Sequence, residues 1–262
     1  RRPIIEEGKF GLVVSARSEE ILRLLSVKTP MTIEELASRL SVSEVTVRRD
    51  LAELEEEGLV IRQRGRVALP GLGIEPMFVQ RQKKNADLKK RIARYAAGQI
   101  ADGEVVALDV GTTCAELARE LLKRRNITVF TASFQVASIL SRSSLSVYLI
   151  GGFLRKSEMS MVGPIATETI NKFNFDRFCL GLSGISKQEG PTDYNLEDVE
   201  VKKAFIRRSK KVVALVDKTK FGQSGLVKVC GLEEIHEIVT NRETAEEYPL
   251  EDLDYAGKIT LV

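Results

Sequence analysis

The chain has 262 residues, 43% of them hydrophobic and 29% charged, with 40 Lys and Arg against 37 Asp and Glu for a net charge of +3. That size allows one or two domains with substantial cores, and the apolar fraction excludes a disordered or low-complexity chain. No apolar run approaches the roughly 18 residues of a membrane span, nothing near Arg1 reads as a signal peptide, and no membrane partner is expected. Cys114, Cys179 and Cys230 are odd in number and far apart, and His236 is the single histidine. These counts argue against a disulfide framework, a cysteine or multi-histidine metal site and histidine-based nucleophilic catalysis, so no metal or cofactor is expected and the cytoplasm is the expected location.

Residues 1–16 fit no pattern and read as an extension. Ile21, Leu22, Leu24 and Leu25 then form a helical stripe after Ser18, a candidate N-cap. Thr32-Ile33-Glu34-Glu35 is a capping box, followed by Leu36, Ala37 and Leu40 on one helical face. Ser43 starts a third helix with Val47, Leu51 and Leu54 inward, and Gly58 is placed to stop it. Leu59–Ile61 and Val67–Leu69 read as strands joined by a turn at Gly65. Helix, helix, turn, helix and hairpin is the layout of a winged helix-turn-helix, assigned to 17–69. Pro70, Gly71, Gly73 and Pro76 mark a linker over 70–85.

From 86 to 262 the pattern becomes short apolar runs alternating with amphipathic helices. The runs are Val105–Leu108, Ile127–Phe130, Val147–Ile150, Phe178–Leu182 and Val212–Val216, with weaker candidates at Ile238-Val239 and Lys258–Val262. Helical spacing covers Ala115–Leu122, Phe134–Leu140, Ile165–Phe173 and Val199–Arg208. Continuous hydrophobic strands separated by helices predict an α/β domain with a mainly parallel sheet covered on both faces.

The second helix of a helix-turn-helix lies in the major groove with its N-terminal residues at the base edges. With Val47, Leu51 and Leu54 inward, Ser43, Glu44, Thr46, Arg48 and Arg49 face out. Ser43 and Thr46 suit phosphate oxygens, while either arginine suits guanine O6 and N7 or a phosphate. Thr32 joins this expected DNA-contacting set, and Arg62, Arg64 and Arg66 on the hairpin would form a basic wing. Asp50 is expected to pair with an arginine inside the small domain. A solvated surface charge is the plain alternative for any one arginine, and a protein-binding winged helix is the alternative for the module.

Arg17-x3-Ile21-x3-Leu25, 17 further residues, and Ser43-x2-Thr46-Val47-Arg48-Arg49-Asp50-Leu51 resemble the DeoR-family regulator signature at every specified position. One departure is visible. The family usually continues Arg-x-His-Gly-Gly-Ala, and here Arg62-Gln63-Arg64-Gly65-Arg66-Val67 stands, which makes the wing more basic.

Several predicted strand ends carry glycines, hydroxyls and cations. Val105–Asp109 runs into Val110-Gly111-Thr112-Thr113 and a helix, where free amides and hydroxyls make an anion site. Asp109, acceptor-only when ionised, suits sugar hydroxyls. Gly151-Gly152 and Arg155 follow the third run, Ser183-Gly184 the fourth, and Asp217-Lys218-Thr219-Lys220-Phe221 the fifth. A strand-to-helix cap explains the Gly-Thr-Thr turn equally well, and a salt bridge explains any single lysine. Convergence points to a pocket for a phosphorylated small molecule.

This segment also resembles the DeoR effector domain, similar in fold to ribose-5-phosphate isomerase and coenzyme A transferases. The matching pieces are Asp109-x-Gly111-Thr112-Thr113, Gly151-Gly152-x2-Arg155, Asp217-x-Thr219-Lys220-Phe221, Pro76-x-Phe78-x2-Arg81 and the helix containing Glu200 and Lys202. Thr131-Ala132-Ser133 stands where the family commonly has Thr-Asn, so Thr131 and Ser133 join the expected effector set.

The resemblance implies a repressor of sugar-metabolism genes, binding double-stranded operator DNA and released by a sugar phosphate. Paired half-sites imply a homodimer or homotetramer. The competing reading is a sugar-phosphate isomerase carrying a DNA-binding module, with Asp109 as base. No acid–base pair is convincing in the sequence, and an enzyme is not expected.

Overall fold

A computed structural model describes residues 15–56, 59–63, 65–69 and 78–262. Gly58 as a helix stop, Arg64 in the wing, Pro70–Pro76 and the extension up to residue 14 lie outside the described residues. The chain divides into two compact units, Arg1–Ile74 and Glu75–Val262.

In the first unit, α1 (Ala16–Val27) begins earlier than the sequence suggests. Ser15, not Ser18, is its N-cap, and its Oγ accepts from the Ser18 amide at 3.1 Å. Ser18 is buried within the helix. β1 (Met31–Thr32) leads into α2 (Ile33–Leu40), where Thr32 and Glu35 close the capping box at 2.8 and 3.1 Å. α3 (Glu44–Glu56) starts from Ser43, whose Oγ accepts from the Thr46 amide at 3.2 Å. β2 (Ile61–Gln63) and β3 (Arg66–Ala68) form the wing hairpin around Gly65 at φ +76°, a conformation that favours glycine. Met31 pairs with Val67, so β1 completes a three-stranded antiparallel sheet. Ile21, Leu25, Leu36, Val47 and Leu51 fill the core. Buried Asp50 holds Arg17 in a two-pronged ion pair that ties α3 to α1. This is a winged helix-turn-helix.

The second unit opens with α4 (Phe78–Lys83) and α5 (Ala86–Gly98). The sequence reading placed α4 in the linker and missed α5. Phe78 is buried, and Ile92, Ala93 and Ala96 pack into a core cluster. The remaining elements are β4 (Val105–Leu108), α6 (Thr112–Leu121), β5 (Thr128–Thr131), α7 (Phe134–Leu140), β6 (Ser146–Leu149), β7 (Phe153–Arg155), β8 (Ser160–Val162) and α8 (Pro164–Ile170). They continue with β9 (Phe175–Gly181), β10 (Gly184–Ser186), β11 (Gly190–Asp193), α9 (Leu196–Arg207), β12 (Ser209–Leu215), β13 (Val227–Lys228), β14 (Glu237–Thr240), α10 (Thr244–Glu247) and β15 (Lys258–Leu261).

Among the described residues, seven strands form one sheet in the order β15-β14-β12-β9-β4-β5-β6, and every pairing in it is parallel. Side chains alternate between two cores. Val106, Leu108, Val213 and Leu215 meet α5, α6 and α7, while Ala107, Phe178, Val212 and Ala214 meet α8 and α9. Burial on both faces explains why these strands read as unbroken apolar runs. The chain runs outward through β4, β5 and β6, then returns and builds the other half from β9. The β4–β9 boundary is therefore the topological switch point, where the crevice at the strands' carboxyl ends receives ligands.

Candidate functional site

Two sites are built, one in each unit. In the first, α3 presents Ser43, Glu44, Arg48 and Arg49 exposed, with Thr46 half-buried. The Ser43 and Thr46 hydroxyls are 2.9 Å apart. Arg48 is drawn along the helix to Glu44 at 2.8 Å, whereas Arg49 forms no ion pair among the described residues. Arg62 is turned back onto α3, where Glu55 accepts from its Nε at 2.7 Å, so this wing arginine is already partnered. Arg66 stays exposed. Thr32 is committed to its capping box rather than offered as a free hydroxyl. The sequence reading overlooked Val45, which is 75% exposed beside these polar groups. An apolar side chain held in water at the start of α3 has the chemistry to meet a thymine methyl. Its signal was the helical angle alone, since composition marks valine as core.

In the second unit, a pocket opens at the tips of three adjacent strands, β12, β9 and β4. From β4 come Val110 to Cys114. Gly111 sits at φ +101° and ψ 168°, a region nearly closed to other residues, and it starts α6 so that the first amides of the helix face the pocket. From β9 come Gly181 to Ser183, and from β12 Asp217, Thr219 and Lys220. Asp193, Asp198 and Lys202 close one side, and Arg81, Lys84, Asn85 and Lys89 another.

Lys202 is fully buried and ion-pairs with Asp109 and, at 3.1 Å, with Asp193; it also donates to the Gly181 carbonyl at 3.0 Å. Burial pulls its ammonium toward neutrality, but the two carboxylates outweigh that pull and hold it charged, above the ordinary lysine range. Burial pushes Asp109 up to about 6 against the attraction of Lys202. Lys89 is buried, donates to the Arg81 carbonyl and, at 2.7 Å, to the Lys84 carbonyl, and is lowered to about 8 by desolvation. Asp217 opposes that lowering, and Lys220 and Arg81 add to it. Lys220 is likewise lowered, first by burial. Arg81 is matched by Glu158. By contrast, Lys84, Lys89 and Lys220 form no carboxylate ion pair among the described residues. Three ammonium groups and a helix N-terminus thus line one pocket with no ion-paired carboxylate among the described residues, although the Asp217 charge acts on both Lys89 and Lys220, and this composition favours an anion.

The pocket gathers five of the expected effector residues, Gly111, Thr112, Thr113, Lys202 and Lys220. The others lie elsewhere. Asp109 is sealed behind Lys202, with its Oδ2 accepting from Lys202 and, at 2.9 Å, from the Gly181 amide, so it positions that lysine rather than meeting a sugar. Arg155 is also set back, paired to Asp198 and donating to Ser157 at 2.7 Å. Lys218 points to Glu247. Thr131 and Ser133 are buried; Ser133 caps α7 by accepting from the Val136 amide at 3.2 Å. Gly151 and Gly152 follow β6 at the sheet edge, two strands from the pocket, and a Cβ on Gly152 would lie 2.6 Å from the Val162 carbonyl. Gly184 similarly permits close backbone passage, 2.4 Å from its would-be Cβ to the Gln223 carbonyl. Gly152 and Gly184 thus allow close backbone packing, whereas a Cβ on Gly151 would meet nothing within 4 Å. Lys84, Lys89, Asp193 and Asp198 were missed because the first two fell in or beside the assumed linker and the acids sit on elements with no phosphate motif.

A helix-turn-helix unit and a sheet unit with a lysine-lined crevice at its switch point are together the make-up of a ligand-sensing DNA-binding regulator. The chain matches the DeoR-like helix-turn-helix domain over residues 17–71 and the DeoR C terminal sensor domain over 84–242. It is 33% identical to the HTH-type transcriptional regulator GlpR of Haloferax volcanii over 252 residues, spanning 96% of this chain and 98% of the relative. It is 32% identical to the glycerol-3-phosphate regulon repressor of Escherichia coli, spanning 86% and 90% of the two chains. Among solved structures, ribose 5-phosphate isomerase A of Methanocaldococcus jannaschii aligns with a TM-score of 0.40 at 19% identity, over 53% of this chain and 55% of that one. The chain belongs to the DeoR family and is a DNA-binding transcriptional regulator. Among the described residues, no helix is long and apolar enough to cross a membrane, and no cluster of His, Cys, Asp and Glu is arranged to hold a metal ion.

Proposed function

We propose that this regulator is a repressor in the cytoplasm whose hold on an operator is set by a small phosphorylated sugar in the strand-tip pocket. It acts as a homodimer or homotetramer on paired half-sites. The observation that carries this reading is the gathering of Lys84, Lys89 and Lys220 beside the N-terminus of α6 with none of the three in an ion pair among the described residues. The Thr112 and Thr113 amides and hydroxyls suit phosphate oxygens, and the Asp193 and Asp217 carboxylates suit sugar hydroxyls. Asp109, the base that an isomerase reading requires, is tied up with Lys202, which favours binding over turnover. The relatives named as regulator and repressor support the same assignment. The ligand changes DNA affinity only by the difference in its own affinity for the DNA-competent and DNA-incompetent states.

Two measurements test the reading. A panel of sugar phosphates, with the free sugars as controls, should raise the melting temperature only where phosphate is present; a flat response removes the pocket. Changing Arg48 and Arg49 together to Ala should abolish operator binding in a titration while thermal unfolding stays unchanged. Unaltered affinity removes α3 from the DNA interface.

A further inference from the structure

Five of the eight large apolar side chains left exposed among the described residues of the second unit surround one sheet edge: Phe134, Tyr148, Leu149, Phe153 and Ile165. Among the described residues β6 is the terminal strand of the sheet and pairs only with β5. Its sequence, Ser-Val-Tyr-Leu, contains no charge, proline or glycine. Free edges are ordinarily blunted by such residues because unpaired backbone groups invite another strand. The opposite edge does carry one: β15 begins with Lys258, paired to Glu237.

The five side chains belong to neighbouring elements. Tyr148 stacks on Phe130 with ring centroids 4.5 Å apart, on the face shared with α8. α7, which Phe134 opens, packs on β6. Phe153 follows the Gly151-Gly152 turn, and Gly152 lies against Ala166, next to Ile165 on α8. Their exposed fractions run from 41% to 68%. At ~200 Å² for a large side chain, they present about 500 Å² of apolar surface, and two such faces approach about 1,000 Å² before backbone and rim are added, close to the range of specific interfaces. Glu168 on α8 and Lys172 just past its end are exposed and of opposite sign, so this face carries both halves of an ion pair for a twofold contact to use.

We propose that this β6 edge, with the exposed starts of α7 and α8, is where a second copy of the chain docks, the same face meeting itself across a twofold axis. The proposal rests on the dimeric reading above and assigns it a surface. A nucleic acid is disfavoured as the occupant because the apolar residues themselves carry no positive charge.

The test uses the full chain in light scattering at micromolar concentration. The unaltered protein should have twice or four times the single-chain mass. Phe153→Glu with Ile165→Glu should lower the mass at least twofold, with circular dichroism unchanged. Leu261→Glu, at an exposed leucine on β15 at the opposite edge of the sheet, should leave it as it was. A single-chain mass for the unaltered protein overturns both the oligomeric reading and this face. A double variant whose mass is unchanged overturns the face alone. Should the double variant fail to fold, single cysteines at Tyr148, Phe153 and Ile165 decide, since the three native cysteines are buried. At least one should give a covalent dimer with a short bis-maleimide where Leu261→Cys, on the opposite edge strand, gives none, and failure of all three overturns the proposal.

Discussion

Lys202→Met isolates the energetics of the pocket wall. Lys202 is enclosed by Asp109 and Asp193, with 2% of its side chain exposed. Methionine keeps much of the volume but leaves two buried carboxylates without their shared cation. Removing one partner of a buried ion pair costs about 3–5 kcal/mol, because uncompensated charge stays behind. For a unit of this size each kcal/mol moves the melting temperature by about 2–4 °C, so the expected fall is about 6–20 °C, read by calorimetry. Relief should come from protonation. Asp109 already stands at about 6 with Lys202 present, and it rises further without that cation, whereas in the unfolded chain it returns to about 3.8. Between those values the folded state binds the extra proton, so the variant should gain stability as the pH falls from about 7 toward 5. Adding Asp109→Asn should recover at least half of the loss at neutral pH. A fall below about 3 °C at pH 7, or a variant indifferent to pH, would refute the assignment of Lys202 as the buried counter-charge.

Lys89, lowered to about 8 by burial, must be protonated to favour a phosphate, so sugar-phosphate affinity should weaken toward tenfold per pH unit above 8, and Lys89→Met should remove that slope; calorimetric titration at several pH values checks this. Val45 is exposed at the start of α3, so replacing its contacted thymine by uracil in a selected operator should cost about 1 kcal/mol, roughly fivefold in Kd, and Val45→Ala should erase the difference. Gly184→Ala drives a Cβ to 2.4 Å from the Gln223 carbonyl and should destabilise the second unit by about 1–3 kcal/mol in denaturant unfolding, with DNA contacts on α3 untouched.

The DNA-reading unit was legible because its signals are local. A capping box needs only Thr32 and Glu35 three residues apart, and the apolar spacing of Val47, Leu51 and Leu54 sets which side of α3 faces out. The parallel sheet was legible for a related reason: strands buried on both faces have no polar alternation, and their runs stand out. The start of α1 was misplaced by three residues because Ser15 and Ser18 are both capable caps, and only the packing of Ser18 inside the unit separates them. α4 was lost to the assumed linker over 70–85 because proline and glycine precede it, and α5, which begins just beyond that linker, was not recognised.

Which residues meet was another matter. The sequence by itself determined the helices and hairpin of the first unit, the main strands and helices of the parallel sheet and the turns at Gly111 and Asp217, because these rest on neighbours within a few positions. Only the tertiary structure decided that the tips of β4, β9 and β12 lie side by side while the Gly151-Gly152 turn lies at the sheet edge, since strand order reflects crossovers that no local pattern encodes. Tertiary structure likewise turned Asp109 from a ligand candidate into the buried partner of Lys202, 93 positions away along the chain. A carboxylate's role follows from the charges around it, and those arrive from distant segments once the two cores close on the sheet.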